Sequence, residues 1–169
     1  MSLTTILRPV FTPRMRELER HQTQGESLQR EVLQRLIAAG SRTRYGCDHS
    51  LSAGCDYERF AAAIPLATYE ELKGHIDRMR HGEADLLCPG CVRWYAKSSG
   101  TTNDQSKFIP VSPQGLKDTH YRGGTDAVVM YLRDHPDSRL FDGRALILGG
   151  SHAPNYNLRR SLVGDLSAI

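Results

Sequence analysis

The sequence contains no apolar run long enough to span a membrane, and its first nine residues lack the basic start and continuous apolar stretch of a secretory leader. Its charge is nearly balanced, with 22 Lys and Arg against 19 Asp and Glu, and the basic residues are spread along the chain. Because binding to nucleic acid needs a concentrated basic patch, we expect no nucleic acid as a partner. Because no apolar run is long enough to span a bilayer, we expect no membrane as a partner either. We expect a cytoplasmic protein.

Cysteine is scarce, with four among 169 residues. Cys88 and Cys91 form a C-x-x-C pair, which occurs in redox dithiols and in zinc half-sites. A redox pair should open a helix, but here Pro-Gly lies between the cysteines and a strand-like segment follows. The other pair, Cys47 and Cys55, is too widely spaced for a usual zinc half-site. We therefore predict structural or incidental thiols and no metal ligand.

With 39% hydrophobic and 24% charged residues, the chain has the composition of a folded globular protein of about one domain. Apolar residues at helical spacing predict an N-terminal helical segment over residues 12–40. We expect this helix to begin at Thr12-Pro13 and to break near Gly25.

A further helix is predicted after Thr68, because Thr68 and Glu71 have the spacing of a capping box. Its buried face would carry Leu72, Ile76 and Met79. The charged run from residue 77 to residue 81 is expected to be a solvated helix end.

Two apolar runs, at residues 92–96 and 108–111, predict a strand, a polar loop and a second strand over residues 92–112. A helix is expected after Ser112-Pro113, then a short strand at residues 145–148 and a small-residue loop at residues 149–152. Helices first, then strands separated by a helix, indicate an α/β fold.

The loop from Ser98 to Lys107 is the most informative segment, because it combines many hydroxyl side chains with one glycine and one lysine. Gly100 lets the backbone approach a ligand closely, successive N–H groups can form a concave anion nest, and Lys107 adds charge. This composition indicates a polyphosphate site. It is not a Walker A loop, since no G-x-x-x-x-G-K-[ST] pattern is present. An ordinary polar hairpin is the alternative, because Ser, Thr and Asn are common in turns.

The stretch from Tyr95 to Thr102, continuing from Lys107 to Pro110, resembles the first core motif of adenylate-forming enzymes. More narrowly, it is similar to the auxin-responsive promoter family of acyl acid–amido synthetases, in its bacterial branch. Further segments resemble the same family: Thr43–Gly46 (T-x-Y/F-G), Ile64–Leu72 (P-x-x-x-Y-E-D/E-L/I) and Gly82-Glu83. The resemblance covers nearly the whole chain, from Arg14 onward.

The resemblance implies the large domain of an ATP-dependent ligase that adenylates a carboxylic acid, releases pyrophosphate and passes the acyl group to an amine, typically that of an amino acid. It implies ATP as the nucleotide and Mg²⁺ as the metal, with the magnesium ligands outside this chain. The implied ATP and pyrophosphate site comprises Ser98, Ser99, Gly100, Thr101, Thr102 and Lys107. His120 and Tyr121 are candidates for the acyl pocket, although a surface or packing role is favoured for each, and no catalytic base is assigned.

Members of that family are several hundred residues long. We therefore expect residues 1–169 to be a single incomplete α/β domain, the N-terminal portion of a longer enzyme, and inactive alone. Strands without partners would leave exposed edges and apolar surface, which favours self-association. Two alternatives stay open: an acyl-CoA ligase of the same superfamily, and a non-catalytic helical interaction domain.

Overall fold

The computed structural model describes residues 2–98, 107–146, 148–149, 152–154, 158 and 161–165. The chain forms two compact units, one comprising residues 1–29 and 114–148 and the other residues 30–113 and 149–169. Helices come first and a small sheet follows, which confirms the predicted α/β class. The division of the chain into domains stays a prediction.

Helix α1 runs from Leu3 to Gly40, with non-helical backbone at Gln24 where a break was expected. The predicted start at Thr12-Pro13 is wrong, because α1 begins nine residues earlier and continues through Pro9 and Pro13. Among the described helices, none is long and apolar enough to cross a bilayer.

Tertiary contacts explain the early start of α1. The Asp142 carboxylate accepts hydrogen bonds from the Ser2 hydroxyl at 2.8 Å and from the Thr4 amide at 3.2 Å. The Thr4 hydroxyl, itself buried, accepts the Phe141 amide at 3.0 Å. A carboxylate on the first free N–H groups of a helix is a cap, and here it comes from far along the chain, where local sequence patterns do not reveal it.

The same unit contains α5 (Pro113–Gly115, its first residue lying in the other unit), a π-helical stretch (Leu116–Tyr121) and α6 (Arg122–Asp134). Within this unit, the apolar side chains of Val129 and Leu132 in α6 are buried.

The predicted strand at residues 145–148 is wrong for the residues that are described there. Leu146 and Leu148 are 88% and 87% exposed and lie outside the strands. A strand needs a neighbour for its N–H and C=O groups, and the described sheet offers none to this segment.

The described part of the other unit contains three shorter helices: α2 (Arg44–Asp48), α3 (Tyr57–Ala63) and α4 (Tyr69–Arg80). Each begins after a side chain that accepts a backbone N–H, and these caps are Thr43, Asp56 and Thr68. The predicted capping box is confirmed, since the Thr68 amide donates to Glu71 at 2.6 Å and the Glu71 amide donates back to the Thr68 hydroxyl.

Among the described residues, four strands form a mixed sheet in the order β2-β1-β4-β3: β1 (Trp94–Ser98), β2 (Lys107–Val111), β3 (His152–Pro154) and β4 (Leu162–Asp165). Strand β1 pairs antiparallel with β2 and parallel with β4, while β3 pairs antiparallel with β4. Strands β3 and β4 were not predicted from the sequence, and a loop was expected at His152. Pro110 and Pro154 lie on the two edge strands, the usual place for proline in a sheet.

The core under this sheet consists of Ile76, Met79, Leu86, Val92 and Tyr95, with Leu72 packed against it. This confirms the predicted buried face of α4. A second cluster joins α1 to the following loop through Ile37, Leu51 and Cys55.

Candidate functional site

Strands β1 and β2 form the hairpin that carries the proposed phosphate loop. Ser98 pairs with Lys107 and Lys97 pairs with Phe108, so the two ends of the loop are neighbours. Ser98 is half-buried and Lys107 is exposed. The loop itself, with Ser99, Gly100, Thr101 and Thr102, lies outside the described residues. The structure therefore brings together the first and last residues of the predicted site.

Tyr69, the first residue of α4, contacts the start of β2. Its Oη accepts the Phe108 amide at 3.0 Å, and its ring centroid lies 5.4 Å from the Lys107 ammonium nitrogen. Tyr69 was not predicted as a site residue, although its place directly after the N-cap Thr68 was visible in the capping pattern.

Arg80, in the last turn of α4, lies against the same strand. Its guanidinium carbon is 3.7 Å from the centre of the Phe108 ring, its side chain is 15% exposed, and it contacts Asp77 at 3.3 Å. The Arg80 Nε atom is buried and has no hydrogen-bond partner among the residues that the structure describes. The expectation that residues 77–81 form a solvated helix end is therefore wrong at Arg80, because its planar cation stacks on an aromatic face.

The Thr43–Gly46 segment makes a tight corner after α1. The buried Thr43 hydroxyl donates to the Gly40 carbonyl at 2.7 Å and accepts the Gly46 amide at 3.1 Å. A Cβ on Gly46 would lie 2.1 Å from the Gly40 carbonyl oxygen, so no larger residue fits. A further hydrogen bond joins this corner to the segment between α4 and β1, since the Tyr45 amide donates to the Leu86 carbonyl at 3.0 Å.

Gly82 and Glu83 end α4. Gly82 has a φ of 97°, which disfavours any residue with a side chain, and its amide donates to the Met79 carbonyl at 2.9 Å. Glu83 forms a two-contact pair with Arg78, and the Arg78 hydrogen bond lowers the pKa of Glu83. Together these contacts fix the path of the chain from α4 toward β1.

Tyr95 lies at the centre of β1 and is completely buried. Its Oη donates to the Val92 carbonyl at 3.2 Å, and burial raises the pKa of Tyr95 to about 12. A phenol with that pKa stays neutral near pH 7, so Tyr95 is a structural group and offers no base to the site.

The four cysteines are free thiols. Burial raises the pKa of Cys88, whereas reactive cysteines need a lowered pKa. Gly90, between Cys88 and Cys91, has a φ of 78° and donates its amide to the Asp85 carboxylate at 2.6 Å. These contacts fit a turn. Among the described residues, no group of three or more His, Cys, Asp or Glu could hold a metal ion.

His120 and Tyr121 lie on the π-helical stretch of the unit that does not contain the hairpin. Both are exposed, and their ring centroids are 5.6 Å apart. Exposure fits the surface role favoured from sequence, and an acyl-pocket role for either residue stays a prediction.

Residues 14–163 match the family model described as the GH3 family N-terminal domain. The chain belongs to the GH3 family. The predicted resemblance to acyl acid–amido synthetases is thereby confirmed at the level of the family, whereas its bacterial branch stays a prediction.

Two curated GH3 relatives are amido synthetases from plants. The chain is 30% identical over 131 residues to "Indole-3-acetic acid-amido synthetase GH3.15" of Arabidopsis thaliana, covering 77% of the chain and 21% of the relative. It is 32% identical over 104 residues to "Jasmonoyl--L-amino acid synthetase GH3.3" of Oryza sativa subsp. japonica, covering 61% of the chain and 22% of the relative. The chain thus spans about a fifth of the length of the curated relatives it matches.

A solved GH3 structure has the same fold. "AtGH3.15 acyl acid amido synthetase in complex with 2,4-DB" superposes with a TM-score of 0.72 at 25% identity, covering 88% of this chain and 26% of that one.

Proposed function

We propose that the chain supplies the phosphate loop of an ATP-dependent acyl acid–amido synthetase, as the N-terminal part of the large domain of a longer enzyme. One observation carries the proposal: in a chain of the GH3 family, the β1–β2 hairpin holds Ser98 and Lys107 side by side at the two ends of a loop rich in hydroxyl groups.

The proposed reaction has two steps. A carboxylate attacks the α-phosphate of ATP and pyrophosphate leaves, after which an amine attacks the acyl-adenylate and AMP leaves. Negative charge moves onto the departing pyrophosphate in the first step. Donors that already point at that position lower the barrier, because they need no rearrangement during the reaction.

In this proposal the hydroxyl and amide donors of Ser98, Ser99, Gly100, Thr101 and Thr102 bind the β- and γ-phosphates, and Lys107 provides the counter-charge. Exposure of Lys107 supports this role, since its ammonium is accessible to an anion. Mg²⁺ would accompany ATP and would be held by residues outside this chain.

We propose a small carboxylic acid and an amino acid as the two substrates. The relatives are named for indole-3-acetic acid and for jasmonoyl–amino acid products, and a solved relative holds 2,4-DB. We propose the chemical class of the acid, a small carboxylic acid, and name no individual acid. Function in the cytoplasm and membership of the bacterial branch belong to the same proposal.

Carboxylate-dependent exchange of labelled pyrophosphate into ATP tests this function in the protein encoded by the complete reading frame. We expect exchange with at least one member of a panel of aromatic and aliphatic acids, and its loss in Lys107→Ala. The matched control is Lys117→Ala, because Lys117 is an exposed lysine outside the hairpin. We expect no exchange by residues 1–169 alone. Absence of exchange with every acid in the complete protein would contradict the proposal.

The compound that accepts the acyl group distinguishes an amido synthetase from an acyl-CoA ligase. Once exchange has identified an acid, we expect amide formation with amino acids or hydroxylamine and no thioester with coenzyme A. Thioester formation would favour the acyl-CoA ligase. Absence of any effect of pyrophosphate on the melting temperature of the chain, in wild type and Lys107→Ala alike, would favour the non-catalytic interaction domain.

Self-association through sheet edges is a further part of the proposal. Strand β2 is an edge of the sheet, and Ile109 on it is 45% exposed. Pro110 removes one donor from this edge without covering it. We expect light scattering to give a dimer or a larger species, and a monomer at every concentration would contradict this expectation.

A further inference from the structure

Tyr69 contacts both the backbone and the charge at the C-terminal end of the proposed phosphate loop. Its Oη accepts the Phe108 amide at 3.0 Å, which fixes the peptide that directly follows Lys107. Its ring centroid lies 5.4 Å from the Lys107 Nζ, within the range of a cation–π contact. The Tyr69 side chain therefore restrains both the backbone next to Lys107 and the Lys107 ammonium group.

Tyr69 is itself held in place. It is the first residue of α4, and the capping box of Thr68 and Glu71 fixes the first turn of that helix. Its ring packs against the core cluster that contains Ile76 and Tyr95. The position of the Tyr69 hydroxyl is therefore set by the helix and by the core beneath the sheet.

Phe108 is held from a second direction. The Arg80 guanidinium lies 3.7 Å from the centre of the Phe108 ring, and Phe108 pairs with Lys97 across the hairpin. With its neighbour fixed in this way, Lys107 has a defined starting point for its side chain. A free lysine side chain loses rotamer entropy when it is ordered, so part of that cost is met before an anion arrives.

We propose that Tyr69 is a positioning residue that holds the Lys107 ammonium ready for the departing pyrophosphate. The inference rests on the proposed function, in which Lys107 provides the counter-charge. An aromatic face suits the task better than a carboxylate, because the ring attracts the ammonium without cancelling its charge. Lys107 is exposed, so an anion can reach the ammonium while the ring restrains it.

Calorimetric titration of the chain with pyrophosphate tests this role in two variants. Tyr69→Phe removes only the hydroxyl, and we expect it to weaken binding about two- to tenfold. Tyr69→Leu also removes the ring, and we expect a further loss of about two- to fivefold. The matched controls are Tyr57→Phe and Tyr57→Leu, because Tyr57 is a helix-start tyrosine that is 62% exposed. Both should bind like wild type.

A second measurement separates positioning from a merely structural role. The four lysines give few Cε signals, and Lys107→Ala assigns the one of interest. In the chain without pyrophosphate, we expect the Lys107 Hε protons to show an upfield ring-current shift that persists in Tyr69→Phe and disappears in Tyr69→Leu. A general loosening of the fold would change the signals of the other lysines as well.

The outcomes distinguish this inference from the function on which it rests. Weaker binding by Tyr69→Phe, with a cooperative melting transition and a retained ring-current shift, supports the inference. Unchanged affinity in Tyr69→Phe and Tyr69→Leu would overturn it and leave the proposed function intact. If wild type itself fails to bind pyrophosphate, the proposed function fails and the inference fails with it.

Discussion

Gly46 approaches the Gly40 carbonyl so closely that a Cβ on Gly46 would lie 2.1 Å from that oxygen. The contact closes the corner between α1 and α2, and the buried Thr43 hydroxyl bridges the same two residues. Beyond the corner, the Tyr45 amide donates to the Leu86 carbonyl, and Leu86 belongs to the core under β1. A segment that resembles a family motif thus acts as scaffold for the hairpin.

Gly46→Ala should therefore disrupt this corner. We expect a loss of about 3 kcal/mol or more in the free energy of unfolding, because the obstructing atom is backbone and cannot move aside. Urea unfolding followed by circular dichroism measures it. Gly74→Ala is the matched control, since Gly74 lies in α4 with nothing within 4 Å of a Cβ, and we expect a gain of about 0.5–1 kcal/mol. Equal effects of the two substitutions would contradict the clash.

Tyr95 should make the unfolding free energy fall at alkaline pH. Burial raises the pKa of Tyr95 from 10.0 to about 12, so from pH 10 upward the unfolded chain loses the proton and the folded chain keeps it. The contribution of Tyr95 to the free energy of unfolding is fully present below pH 10. As pH rises toward 12, the free energy of unfolding falls by about 2 kcal/mol because of this group.

The check is urea unfolding of wild type and Tyr95→Phe at several values of pH up to 12. Tyr95→Phe should be less stable at neutral pH by about 1 kcal/mol, because the hydrogen bond to the Val92 carbonyl is gone. It should also lack the alkaline loss, whereas Tyr57→Phe should keep it, since Tyr57 is exposed. Parallel pH curves for wild type and Tyr95→Phe would show that the Tyr95 phenol titrates normally.

Arg14 and Asp126 should be energetically coupled. The Arg14 guanidinium contacts both Asp126 oxygens, at 2.5 and 2.7 Å, and the two side chains are only 17% and 22% exposed. We expect a double-mutant cycle with Arg14→Ala and Asp126→Ala to give a coupling of about 1–2 kcal/mol. The control cycle uses Arg133 and Asp134, a sequence-adjacent pair that is more exposed, and it should give no measurable coupling. A zero result for both cycles would contradict this prediction.

Local features of the fold could be predicted from sequence where the cause is local. The capping box of Thr68 and Glu71 acts within four residues, and the break beside Gly25 lies within one turn of helix. Strand β1 and the buried face of α4 were likewise visible in short-range patterns of apolar residues.

Distant contacts account for the errors. The Asp142 carboxylate caps α1 from far along the chain, so the helix starts before Thr12. Strand β4 is short and exists because β1 pairs with it, and residues 145–148 were apolar enough to predict a strand that has no described neighbour. Tyr69 was missed as a site residue for the same reason, since only the folded chain brings it to Lys107.

Pyrophosphate binding by the chain tests the central claim most directly, namely that the loop between β1 and β2, which ends at Lys107, is a phosphate site. Calorimetric titration should show saturable binding by wild type, loss of binding in Lys107→Ala and unchanged binding in Lys117→Ala. Affinity should fall as salt concentration rises, because the contact is between charges near the surface. Equal binding by the two alanine variants, or none by wild type in a folded chain, would contradict the account.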